Sequence, residues 1–508
     1  MTDKKKIYLI LIGLCFLVFA NSLNGDFVSD DIPAIIKNPA ISNPGNHLFN
    51  PGDLLSSLTY LLVKDNSFLY HLTNVILHSL NTILVFLFLT LFFKDETSFL
   101  GASLFAVHPI HVEAVSWISG RIYLVSALFT FGTYLLYRRS SYFGKSAGGV
   151  KVHYYLLGLF IFSYFIIKQF SFYSLTPLLF MLSDITFKRW RKNWKLWLPF
   201  LGVAGLRLAL AKSSLFGRID SVAREMGSGI TWNNPVFNLA YSFFAHLGLL
   251  IWPDKLTLYH EPAQISSWFL TLELIILTML ALALPFIYKK AKPLFFALGI
   301  FVLFLAPTYS PVLISWLVAE RYAYIPSIAL SLGLGFAYEK HAQESKLTRN
   351  IARALFILII AIYSLRTVIR NEDWKTPQRL WQATVKVSPL SPRAHNNMGD
   401  VYCRGGRIEL AVAEFKKAIE LNPNYADACH NLANTYQSQG NFQEAIVYYQ
   451  KAISFNPLLF ESYYNLGIIY LDSGEWDKAI EKLDKAVQLR PQDKNAHYAL
   501  EFAVRNKR

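Results

Sequence analysis

The sequence predicts an all-α chain in two parts, a multispanning membrane bundle over residues 1–370 and an α-solenoid of helical repeats over residues 371–508. Three observations carry this. Hydrophobic residues make up 53% and aromatic residues 15% of the 508-residue chain, and apolar segments of about one bilayer's length recur at Ile7–Leu23, Phe68–Phe93, Phe172–Phe187 and Ile351–Ile369. Between such segments lie short basic clusters that account for most of a net charge of +15. At the C-terminal end, Pro389, Pro423, Pro457 and Pro491 recur at a strict interval of 34 residues.

In the first part, Met1–Lys6 followed by Ile7–Ala20 has the make-up of a signal peptide. No convincing small-x-small cleavage site follows and further spans come after, so it reads as an uncleaved first span at about 7–23. Further spans are expected at about 68–93, 98–116, 120–137, 153–167, 171–187, 195–211, 268–288, 293–310, 313–337 and 351–369, about eleven in all. The clusters Lys4–Lys6, Arg138/Arg139, Lys188/Arg189/Arg191/Lys192, Lys289/Lys290 and Lys346/Arg349 mark the cytoplasmic loops. They all stay inside if Pro235–Trp252, apolar but carrying Asn238, Ser242 and His246, lies in the interface or re-enters. An odd number of spans then puts the first outer loop, 24–67, and the C-terminal repeats on the same non-cytoplasmic side. Charge confined to such clusters, with near balance in the repeat region, excludes nucleic acid as a partner and implies a bilayer.

In the second part, 34 residues is the length of one tetratricopeptide helix–turn–helix unit. The internal marks repeat at the same interval: Asn397-Met398-Gly399, Asn431-Leu432-Ala433 and Asn465-Leu466-Gly467; Tyr402, Tyr436 and Tyr470; Gly406, Gly440 and Gly474; Ala411, Ala445 and Ala479. The glycines suit a positive φ between two helices, and the alanines let those helices approach closely. Full repeats are expected at about 390–423, 424–457 and 458–491, with a preceding helix at Trp374–Val387 and a capping helix at Asp493–Arg505. Asn397, Asn431 and Asn465 would form a ladder along the concave face, one amide per repeat, able to hold an extended peptide acceptor without reading its sequence. Cys15, Cys403 and Cys429 offer neither metal spacing nor a disulfide framework.

Candidate chemistry gathers at one membrane face. Asp30 and Asp31 follow the first span, where adjacent carboxylates are solvated, paired or used, for instance as a general base toward a hydroxyl. Ala106–Glu113 contains His108, Pro109, His111 and Glu113, and Gly120-Arg121 follows. The two histidines could donate to a phosphate, satisfy a polar crevice, or hold a divalent cation; spacing fixes no third ligand, so no metal site is assigned. Arg121 and Lys168 are outer-side cations. Glu320-Arg321 lies inside an expected span, either as a structural pair or as an anion site. Together they describe a polar, partly cationic cleft beside acidic residues.

These segments resemble the transmembrane and tetratricopeptide repeat-containing O-mannosyltransferase family. The motifs are Phe27–Ile35 with Asn38, Tyr70–His78, Phe105–Ala114, Ala319–Ser327 and Arg370–Trp374, in order over nearly the whole chain. The resemblance implies a GT-C-type glycosyltransferase that takes sugar, mannose in the family, from a polyprenyl phosphate and passes it to a protein hydroxyl. It maps the catalytic base to Asp30 or Asp31, and Arg121, Lys168 and Arg321 are candidates for the lipid phosphate. Direct displacement would invert the anomeric carbon. Short length and absent cysteine pairs suggest a bacterial inner membrane with periplasmic repeats. The chain departs from the family pattern at Asn50–Asp53, Ile122-Tyr123 and Lys168-Gln169, which supports the alternative of a non-catalytic, membrane-anchored scaffold for envelope assembly.

Overall fold

The computed structural model describes residues 2–47, 51–64, 66–140, 150–166, 172–226, 235–260, 267–309 and 316–507. Among them every regular element is helical. The chain forms two compact units, Met1–Leu380 and Trp381–Arg508. The expected border at 370/371 falls earlier than this because the segment after Arg370 is tied into the membrane unit. The Asn371 amide donates to Val18 O and Asn21 Oδ1, both at 2.8 Å.

The membrane unit begins with α1 (Thr2–Phe19), and the described part of the 24–67 loop is largely helical. It holds a π-helical turn at Ile32–Ile36, two 3-10 turns, and α2 (Pro51–Val63). Next come α3 (Ser67–Leu89), α4 (Asp95–Val107), the short α5 (Val112–Ser116) and α6 (Arg121–Ser140). They are followed by α7 (Val150–Ile166), α8 (Thr176–Thr186), α9 (Trp190–Met226), α10 (Pro235–Ile251), α11 (Ser267–Lys290) and α12 (Lys292–Tyr309). α13 (Ile328–Ala342) and α14 (Lys346–Asp373) complete the bundle, and α15 (Pro377–Val387) leads on. By length and composition, five helices among the described residues can cross a bilayer, or six if the bent α4–α5 pair is one span. The other helices at the expected eleven positions are shorter or more polar.

The expectation of an unbroken span at 313–337 is corrected. Glu320–Ala323 forms a 3-10 turn and the helix starts only at Ile328. Pro326 has no N–H to donate and the residue before a proline disfavours helical backbone, so a helix cannot run smoothly through this sequence.

The α4–α5 break fixes the interior. Pro109 interrupts the helix and the chain bends by 49°. The break frees backbone carbonyls that lipid cannot solvate. A polar stripe on α3, spaced by three or four residues so that it shares one face, satisfies them. Asn74 donates to Val115 O at 3.1 Å and Trp117 O at 3.0 Å; His78 Nε2 lies 3.0 Å from Ala106 O. Thr367 of α14 takes Val107 O at 2.6 Å, and farther along the stripe Asn81 donates to Leu124 O of α6 at 2.9 Å. The broken segment is therefore held from two sides, and His108, His111 and Glu113 sit on it.

The second unit stacks antiparallel pairs: α16 (Pro392–Arg404) with α17 (Ile408–Leu421), α18 (Ala426–Ser438) with α19 (Phe442–Phe455), and α20 (Phe460–Asp472) with α21 (Trp476–Leu489), followed by α22 (Lys494–Asn506). Gly406, Gly440 and Gly474 occupy the turns at φ 69°, 77° and 73°, a conformation that costs an L residue about 1–2 kcal/mol. Ala411, Ala445 and Ala479 are fully buried where the helices meet.

Candidate functional site

The acidic pair divides into two unlike residues. Ser29, just before them, is left-handed at φ 52°. Asp31 is fully buried. Its Oδ2 accepts from Val28 N at 3.1 Å, while its Oδ1 accepts from Ser119 N at 2.8 Å and Ser119 Oγ at 2.6 Å. Burial raises its pKa to about 6 against the pull of those donors and of Arg121. Asp31 thus clips the first loop to the 3-10 turn Ile118–Gly120. That turn lies so close to α5 that a Cβ on Gly120 would meet Ala114 O at 2.8 Å. Asp30 is exposed. The protein around it still withholds water and raises its pKa, with the charge of Arg321 acting in the opposite sense.

Adjacent Glu320 and Arg321 reach to different partners. Glu113 of α5 accepts from the Arg321 guanidinium, and from Arg321 N at 2.8 Å. The guanidinium carbon lies 5.7 Å from the Trp117 ring centre and 5.0 Å from that of Tyr322. Glu320 accepts from Arg370 of α14 at 3.0 Å, and Arg370 also meets Asp373 at 2.8 Å. His260 Nε2 lies 3.8 Å from the Glu320 carboxylate. Two guanidiniums face three carboxylates, so the Glu320–Arg321 part of the expected polar, partly cationic cleft is a charge-compensated network. Each arginine is fixed in place by a carboxylate.

The remaining expected residues are held by the protein. Arg121 is buried and donates to Ile118 O at 3.2 Å, Ser56 Oγ at 3.2 Å and Tyr70 O at 3.3 Å, which staples α2, α3 and α6 together. His108 accepts from Ile110 N at 3.1 Å through Nδ1, and its Nε2 lies 2.9 Å from Leu250 O. Both ring nitrogens are engaged, so neither is open to a metal. His111 Nε2 lies 2.8 Å from Ser327 Oγ, within a cluster containing Phe105, His78 and Tyr324. These contacts hold His108 through both ring nitrogens and His111 through Nε2, while His111 Nδ1 is buried without a hydrogen-bond partner among the described residues. Lys168 lies outside the described residues.

Sequence reasoning gave no site role to Ser119 or Arg370. Ser119 carries no signal of its own. Arg370 ends an apolar helix inside a recognised motif, where a buried cation needs a carboxylate partner, and that could have drawn attention to Glu320.

In the repeat unit the three asparagines occupy matching positions, but their amides donate within the solenoid. Asn431 donates to Asn396 Oδ1 at 3.0 Å, and Asn465 to Asn434 Oδ1 at 2.8 Å. Asn397 donates to Arg393 O of its own helix at 2.9 Å. The Asn431 and Asn465 amides thus tie one repeat to the next.

Comparison with known proteins follows the same division. Tetratricopeptide repeat family models match residues 399–440, 426–457 and 460–493. The chain is 26% identical to the Caenorhabditis elegans protein O-mannosyl-transferase F38B6.6, with 82% of this chain and 63% of that protein covered. It is also 26% identical to the human protein O-mannosyl-transferase TMTC4, over 77% of this chain and 63% of that protein. It therefore spans less than two thirds of either relative's own length. Among solved structures, a crystal structure of the MamA protein is 28% identical over 26% of this chain and 72% of its own, with a TM-score of 0.24. Over most of its length, the chain resembles the transmembrane and tetratricopeptide repeat-containing protein O-mannosyl-transferases and carries tetratricopeptide repeats at its C-terminal end.

Proposed function

We propose that the chain is a membrane glycosyltransferase of the GT-C type that moves a sugar from a polyprenyl phosphate to a hydroxyl of a protein acceptor. The observation that supports this most is the division of labour in the acidic pair: Asp31 is committed to holding the loop, while Asp30 is exposed, has a raised proton affinity, and feels Arg321. Asp30 is the base. It takes the proton of the acceptor hydroxyl as that oxygen bonds to the anomeric carbon. The bond from that carbon to the phosphate oxygen breaks, and polyprenyl phosphate leaves with the electron pair. Attack opposite the leaving group inverts the anomeric carbon. Arg321, oriented by Glu113, supplies positive potential toward the developing phosphate charge. The repeats present the acceptor on the non-cytoplasmic side, which in a bacterial inner membrane is the periplasm. Mannose is the sugar carried in the names of the similar proteins and is the first donor to test.

The test uses purified full-length protein, polyprenyl-phosphate mannose and a hydroxyl-bearing peptide. Asp30→Asn is expected to reduce transfer by about 10²–10⁴-fold with an unchanged melting profile. Full transfer by Asp30→Asn would remove the proposed base. No transfer by the native chain with any polyprenyl-phosphate sugar would favour the scaffold reading.

A further inference from the structure

A groove of about 710 Å³ lies between α3 and α6, beside the start of α1. Its walls are apolar, with Leu84, Leu87 and Leu91 on one side and Leu135 and Leu136 on the other. Gly132 opens it, since a Cβ built there would meet no heavy atom within 4 Å. Its lip is basic, formed by Lys4, Arg138 and Arg139. Lys4 is 52% exposed and 4.0 Å from Asp95. Arg138 lies 4.0 Å from Asp184, a carboxylate that Arg189 also meets at 3.1 Å. The guanidinium of Arg139 lies 5.6 Å from the Tyr154 ring centre. Positive charge therefore exceeds negative charge at the lip. Lys4 is the third residue of α1 (Thr2–Phe19) and the Asp30 loop follows its last, so about 23 Å of helix separates the groove from the start of that loop.

A leucine-walled slot with a cationic rim complements an anionic amphiphile, and a basic recess between membrane helices at the cytoplasmic surface matches the geometry for a lipid headgroup. We propose that this groove binds an anionic phospholipid of the leaflet opposite the Asp30 loop. One acyl chain lies along the leucines over Gly132, and the phosphodiester meets Lys4 and Arg139. Nothing in this depends on the sugar-transfer reading.

The experiment titrates phosphatidylglycerol or phosphatidylcholine into delipidated full-length protein in detergent and counts bound lipids by native mass spectrometry. Phosphatidylglycerol is expected to bind preferentially. The preference should fall roughly fivefold for each cation removed in Lys4→Gln and Arg139→Gln. Gly132→Leu, which fills the slot and leaves every charge in place, should lower phosphatidylglycerol binding as well, and leucine is a better helix former than glycine. Inorganic phosphate should not compete at matched concentration. Equal binding of the two lipids by the native protein would overturn the proposal. So would a preference that survives both charge variants, or full displacement by inorganic phosphate, which would mark a simple anion patch.

Discussion

Asp31→Asn tests whether the buried aspartate is a clip and whether its charge is held at a cost. Both carboxylate oxygens accept backbone N–H groups, from Val28 on one side and Ser119 on the other. An asparagine offers only one oxygen, so whichever way its amide lies, an NH₂ faces a backbone donor. An orphaned buried donor costs about 1–3 kcal/mol. The native residue has its own penalty, because its pKa stands at about 6 when folded against an ordinary 3.8. The folded state therefore binds the proton more tightly than the unfolded state. That contribution to stability is complete below about pH 4 and is lost as pH rises through about 6, amounting to up to about 3 kcal/mol. Asparagine has no such dependence. Chemical unfolding of purified native and variant protein should thus show Asp31→Asn less stable at pH 4, with the deficit shrinking by up to about 3 kcal/mol by pH 8. A deficit that stays constant or widens with pH would refute the account.

Three more outcomes follow from the same geometry. Glu320→Gln leaves Arg370 with weakened compensation inside the bundle, and breaking a buried pair costs about 3–5 kcal/mol; the paired change Glu320→Gln with Arg370→Met should lose less than Glu320→Gln alone in the same unfolding assay. Gly399→Ala would set a methyl 2.6 Å from the Phe415 ring, so thermal unfolding should show a loss of about 1–3 kcal/mol. Replacing Asn397, Asn431 and Asn465 together with alanine should lower acceptor-peptide affinity while donor turnover by the same protein persists; unchanged peptide affinity would detach the ladder from acceptor binding.

The repeats were readable because their information is local. Each mark, from Gly406 to Ala411, is placed by neighbours within one 34-residue unit, and the turns adopt the positive φ that glycine suggests. The candidate site was readable only as an inventory of residues. Asp30 and Asp31 are indistinguishable by type, and what separates them is Ser119, 88 residues away. Glu113 and Arg321 meet across 208 residues and Glu320 and Arg370 across 50. No spacing rule reaches that far. The sequence left Glu320-Arg321 open between a structural pair and an anion site, and the fold gives each of the two residues its own distant partner, because a low-dielectric interior admits a guanidinium chiefly beside an anion. The span count was harder to read for a related reason. The membrane part mixes long apolar helices with short and broken ones, and hydropathy alone does not show where a proline such as Pro109 or Pro326 breaks an apolar stretch.

Ser29 occupies a backbone conformation that non-glycine residues adopt at a cost of about 1–3 kcal/mol. The contacts made by Asp31 must oppose that tension continuously, much as a latch opposes a spring. Relaxing it would let the neighbouring carboxylate wander, so evolution toward a sturdier protein and evolution toward a better-aimed one would pull this single position in opposite directions.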